Sequence, residues 1–131
     1  MNLREKILAY LYQNRDSTLE EIAEGLKEDK YEIDATLKYL EREGLVIKRS
    51  KGIIFKKTVY DLTASGLEEA KKIYESLQEK SRQLQELLTS GNVDPSQLPQ
   101  EYIDVLPLLI TLSLLDMMLL EDLMLFDTFG Y

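Results

Sequence analysis

The apolar spacing of this chain changes period twice, and each change falls at a residue that stops or starts a helix. Up to Gly44 the large apolar residues recur every three or four positions. From Leu45 to Leu62 they come in β-branched and aromatic runs, and from Thr63 the helical spacing returns. Three helices, one hairpin and a further helix follow from that order. The fold class is therefore mainly α with a small β-hairpin, since two strands alone cannot close a sheet core.

Local signals refine the order. Leu3, Ile7, Leu8 and Leu11 mark a first helix. Thr18 and Glu21 have the spacing of a capping box, in which each side chain satisfies the other's free backbone N–H, and Leu19, Ile22, Ala23 and Leu26 supply the buried face behind it. Asp29 is placed to cap a third helix that buries Ile33, Leu37 and Leu40 and ends at Gly44. "LVIKR" and "IIFKKTVYDL" read as strands joined through Ser50, Lys51 and Gly52. In the long helix from Thr63, residues Leu67, Ala70, Tyr74, Leu77, Ser81, Leu84 and Leu88 alternate in steps of three and four. That pattern suits a short coiled-coil seam or one amphipathic helix packed on its own domain.

Composition excludes much chemistry. The 131 residues include no Cys and no His, which removes disulfides, thiolate nucleophiles, the commonest metal ligand and the usual base near neutral pH. No nucleophile–base cluster or phosphate-binding glycine loop stands out, so no enzyme activity, metal or cofactor is expected, an enzyme working through carboxylates alone being the distant alternative. The N-terminus lacks the pattern of a secretory signal, and the longest uncharged apolar run, Val105 to Leu115, is short of the ~20 residues a bilayer requires. A cytoplasmic protein is expected.

Charge is unevenly placed. Residues 1–75 carry 14 basic and 15 acidic side chains and residues 76–131 carry 2 and 9, so the net charge of −8 belongs almost wholly to the second part. Against that background Lys48, Arg49, Lys51, Lys56 and Lys57 concentrate on the hairpin, with no acid between Glu43 and Asp61. Two roles suit them: contacts to nucleic-acid phosphates, or a lysine-rich edge that keeps a sheet from aggregating.

Helix, helix, helix, basic hairpin, helix is the order of a winged helix-turn-helix, and the residues are similar to that family too. "YLEREGLVIKR" resembles the end of a recognition helix running into the first wing strand. "YDLTASGLEEAKK" resembles the second wing strand and the Y-x-L-T-x-x-G entry to the next helix in MarR- and PadR-like transcriptional regulators. The resemblance covers about residues 3–75. It implies that the third helix enters the DNA major groove while the wing touches backbone or minor groove. On a wheel of ~100° per residue, Tyr31, Ala35, Lys38 and Arg42 lie opposite Ile33, Leu37 and Leu40, with Glu32, Asp34, Glu41 and Glu43 on the flanks. The expected DNA contacts are these four residues and the wing's Lys48, Arg49, Lys51, Lys56 and Lys57.

The rest of the chain divides by composition. Residues 1–75 form the expected winged helix-turn-helix domain, 64–90 the long helix, 91–100 a linker and 101–131 an apolar C-terminal helical segment. From Ile103 to Phe126, 17 of 24 positions are Ile, Val, Leu, Met or Phe, and the polar exceptions form no stripe. A helix apolar all round has to be buried. A homodimer built through Leu77, Leu84, Leu88, Leu109, Leu112, Leu115, Leu119 and Leu123 would bury it and would match a palindromic DNA site. Packing on its own chain, or docking of a protein partner by the acidic-apolar stretch "LLDMMLLEDLMLFDTF", are the alternatives. Asp116, Glu121 and Asp122 speak against a membrane span. The reading is a dimeric regulator that binds double-stranded DNA, with a winged-helix protein-interaction module as the alternative.

Overall fold

Asn2 opens the first helix by accepting the Glu5 amide at 2.8 Å while the Glu5 carboxylate accepts the Asn2 amide, so α1 runs Leu3–Gln13. The computed structural model describes residues 1–90 and 95–115. The Thr18–Glu21 box starts α2, Leu19–Leu26, and Asp29 accepts the Tyr31 and Glu32 amides, both at 3.1 Å, to start α3, Lys30–Arg42. Gly44, at φ 76°, ends α3 by letting the amides of Gly44 and Leu45 return to the carbonyls of Glu41 and Leu40. Two antiparallel strands follow, β1 (Val46–Lys51) and β2 (Lys57–Leu62), then α4 (Ala64–Thr89), a 3₁₀ turn at Pro95–Gln97 and α5 (Gln100–Thr111).

The chain divides into two compact units after Tyr74. In the first, Ile7, Leu8, Leu11, Ile22, Ile33, Leu37 and Leu40 are fully buried and close against Leu45, Val46, Tyr60, Leu62 and Ala70. Each of these aliphatic side chains contributes roughly 1.5–3 kcal/mol by leaving water. A one-residue bridge adds a third strand to the hairpin: Ser17 and Tyr60 exchange both backbone hydrogen bonds, at 3.1 and 2.7 Å. No sequence period announces so short a strand.

The hairpin turn differs from the expected one. Register runs from Val46↔Leu62 to Lys51↔Lys57, so Ser50 and Lys51 belong to β1 and the turn is Gly52–Lys56. Ile53, Ile54 and Phe55, read from the sequence as strand, stand in that turn. β-branched and aromatic residues favour strands because they pack on a half-buried pleated surface, and no such surface reaches the tip. Gly52 makes the turn: it takes φ 112°, and a Cβ there would overlap the Phe55 carbonyl oxygen.

The Y-x-L-T-x-x-G stretch has a physical account. Thr63 Oγ1 donates to the Gly44 carbonyl at 2.7 Å and accepts the Gly66 amide at 3.0 Å, while the Thr63 amide binds the Leu45 carbonyl at 3.0 Å. Gly66 completes the arrangement, because any Cβ there would overlap that same Leu45 carbonyl.

In the second unit the later turns of α4 bury Leu77, Ser81 and Leu84, and α5 buries Tyr102, Val105, Leu108 and Leu109. Ser81 Oγ donates to the Leu114 carbonyl, Lys80 pairs with Glu101 at 3.4 Å, and its ammonium lies 5.4 Å from the Tyr102 ring centre. Of the residues in the expected seam, Leu67 is 38% exposed in the single chain. Pro107 lies inside α5, and the helix ends in a left-handed turn at Ser113, φ 55°. Of the residues expected in a dimer contact, Leu77, Leu84, Leu109, Leu112 and Leu115 are buried in the single chain and Leu88 is half-buried. Leu119 and Leu123, like the linker residues 91–94 and most of the acidic-apolar stretch, lie outside the described residues. Among the described residues no helix is long and apolar enough to cross a membrane.

Candidate nucleic-acid interface

The outer face of α3 follows from burying its inner one. With Ile33, Leu37 and Leu40 in the core, Tyr31, Ala35, Lys38 and Arg42 are all exposed, and Tyr31 retains 82% of its accessible surface. Tyr39, absent from the expected line, is also exposed and widens it. The acids between them are partly neutralised. Asp34 holds Lys38 at 3.0 Å across one helical turn, and Glu43 holds Arg4, which also reaches Glu69 at 2.7 Å. Among the described residues Arg42 reaches only a backbone carbonyl, that of Lys38 at 3.4 Å, and pairs with no carboxylate.

The wing's five cations separate into two groups. Arg49 bridges Asp16 at 2.6 Å and Asp61 at 2.5 Å, and Lys51 lies 3.7 Å from Asp16. Arg15 bonds Asp61 from the other side and donates to the Leu62 carbonyl at 3.3 Å. Burial pushes the Asp61 carboxyl up, but the bonds from Arg15 and the Leu62 amide, with the charge of Arg49, hold it below the ordinary aspartate range. These contacts tie the base of the wing to the loop after α1. Lys48, Lys56 and Lys57, by contrast, are exposed and make no ion pair with the described residues.

Lys48 and Lys57 also line a cleft of about 380 Å³ between the wing and the start of α2, together with Thr18, Glu20, Thr58 and Tyr60. The α2 N-terminus contributes a partial positive charge there. It keeps its own acids ionised: Glu21 is held below the usual carboxylate range first by the Thr18 amide, and Glu20 by the backbone and by Lys30, 3.2 Å away. Among the described residues no group of acids is placed to hold a metal ion.

The expected α3 and wing residues thus all lie on exposed surface, and the structure adds Tyr39, Ile53, Ile54 and Phe55. Exposure of the last three had no sequence signal, because the same run reads as strand.

No family model matches this chain, and no curated protein matches it in sequence. Solved structures do. A MepR–DNA complex from S. aureus matches with 25% identity over 69% of this chain and 76% of that chain, at a TM-score of 0.50. A transcriptional regulator homologue from Pyrococcus horikoshii OT3 matches with 29% identity over 63% and 82%, also at 0.50. NMB1585, a MarR family regulator from Neisseria meningitidis, shares the fold at a TM-score of 0.55, with 21% identity over 80% and 71%. The fold is a winged helix-turn-helix, similar to that of MarR-type transcriptional regulators.

Proposed function

We propose that this protein is a transcriptional regulator that binds selected double-stranded DNA sites as a homodimer in the cytoplasm. The observation that carries the reading is a set of cations on the fold's usual DNA-contacting elements that make no ion pair with the described residues: Arg42 on α3 and Lys48, Lys56 and Lys57 on the wing. A solved relative of this fold, MepR, is bound to DNA. In this reading α3 enters the major groove through Tyr31, Ala35, Lys38, Tyr39 and Arg42. A free guanidinium such as that of Arg42 suits the paired acceptors on guanine. Lys38 leaves Asp34 at little cost, since one-turn ion pairs contribute only about 0.3–0.5 kcal/mol. Arg49 and Lys51 hold the wing in shape, and the three unpaired lysines contact phosphates. The acidity of residues 76–131 weakens binding to DNA at large and leaves selectivity to the base contacts.

Fluorescence anisotropy over a salt series tests this. Wild type should bind duplexes with an affinity that falls with salt, and the Lys48→Glu, Lys56→Glu, Lys57→Glu variant should show a log–log slope shallower by about 2–3. An Arg49→Gln variant should lose stability more than it loses slope. Absence of binding at low salt would refute the proposal and leave the winged helix as a protein-binding surface.

A further inference from the structure

Ile53, Ile54 and Phe55 are the most exposed large apolar residues among those described, at 94, 85 and 90% of their accessible surface. Single exposed apolar side chains are common on soluble proteins, whereas three in succession at the end of a hairpin form a patch that calls for a partner. The tip that carries them is a shaped element. The β1–β2 ladder runs up to Lys51↔Lys57, and Gly52 closes the turn in a conformation no other residue fits. The patch is bracketed by charge: Lys51 precedes it, and Lys56 and Lys57, both without an ion pair among the described residues, follow it at once.

An apolar wedge between cations fits a particular kind of surface, one with anionic rails on either side of an apolar slot. The minor groove of a DNA duplex has that form, with phosphates along both walls and stacked bases at its floor, and apolar side chains enter it by prising a base step apart. A planar anionic bilayer fits less well. A flat surface would also meet the carboxylates of Asp16 and Glu20 beside the wing, whereas a groove admits the narrow tip between its walls. We infer that Ile53, Ile54 and Phe55 form a wedge that inserts into the minor groove at a flexible pyrimidine–purine step while Lys56 and Lys57 hold the flanking phosphates. This inference rests on the DNA-binding reading above. It makes the wing a reader of DNA deformability rather than a passive clamp.

The test uses the full chain and two duplexes of equal length, one rich in TA steps with 2-aminopurine at those steps, the other an A-tract. Binding is followed by anisotropy, unstacking by 2-aminopurine fluorescence and bending by energy transfer between the duplex ends. Wild type should brighten and bend the TA-rich duplex and prefer it to the A-tract. An Ile53→Ser, Ile54→Ser, Phe55→Ser variant should keep its fold by circular dichroism and its salt slope, lose the brightening, and bind the TA-rich duplex about tenfold more weakly. A variant that brightens the duplex as wild type does would overturn the wedge. So would wild-type binding without brightening, which leaves the DNA-binding reading intact. Wild type that binds neither duplex at low salt refutes both. Pelleting with phosphatidylserine vesicles, or self-association, that disappears in the serine variant would then give the tip to a bilayer or to a second copy.

Discussion

Gly66 shows how one residue can set the junction between wing and helix. Its missing side chain lets the first turn of α4 sit on the Leu45 carbonyl, with Thr63 bonded on both sides of the contact. A Gly66→Ala substitution should cost about 1–3 kcal/mol or more, because the obstructing atom is backbone and cannot rotate away. Thermal unfolding would measure it, and an unchanged midpoint would refute the packing described. Asp61 is the second sensitive position. Its folded-state pKa lies below the ordinary aspartate value of 3.8, so the stabilisation it provides is present above that pH and is lost as pH falls through the lowered value. Asp61→Asn should therefore be less stable than wild type by about 2 kcal/mol near neutrality, with the gap narrowing below pH 3.8. Urea unfolding at several pH values would show a constant gap if Asp61 played no part. The Thr18, Asp29 and Gly44 caps were legible from sequence, since each acts within about four residues of itself. The partners of Asp61 were not: Arg15 is 46 positions away.

At the scale of elements, the wing is where expectation and structure part. Its strands were recognisable from their β-branched and aromatic residues, and its charge from five cations in ten positions. The turn was misplaced because Ile53, Ile54 and Phe55 carry strand propensity without a surface to pack on. Nor could sequence divide the five cations, since Arg49 and Lys48 are adjacent and of like charge. Pairing across β1 and β2, with Asp16 brought in by the loop after α1, sends Arg49 inward to carboxylates and leaves Lys48 outside. The outer line of α3 was more legible. A helix that buries Ile33, Leu37 and Leu40 has only one opposite face, and Tyr31, Ala35, Lys38 and Arg42 are on it.

For the whole molecule, dimerisation is the property to measure. Leu77, Leu84, Leu109, Leu112 and Leu115 are covered in the single chain, so a second copy is not required to bury them. What α5 leaves uncovered is an apolar line at one-turn spacing, Ile103 and Ile110 at 44 and 42% exposure with the half-buried Leu106 between them. If the protein is a dimer through this line, an Ile103→Glu, Ile110→Glu variant should sediment as a monomer at concentrations where wild type is dimeric. It should also lose affinity for two-half-site DNA more than for a single half-site. Wild type that sediments as a monomer would rule the arrangement out.

The order of the main elements, the Thr18, Asp29 and Gly44 caps, the inward faces of α1 to α3, the basic wing and the absence of Cys and His were all written in the sequence. Each depends on residue type, or on neighbours within a turn or two. Which cations are free, which apolar residues reach solvent and which glycine has no alternative were settled only when the chain closed. Those properties belong to contacts such as Arg49 with Asp16 and Gly66 with Leu45, where the backbone brings together groups 33 and 21 positions apart. No local pattern records such a contact, because its energy comes from geometry that exists only in the folded chain.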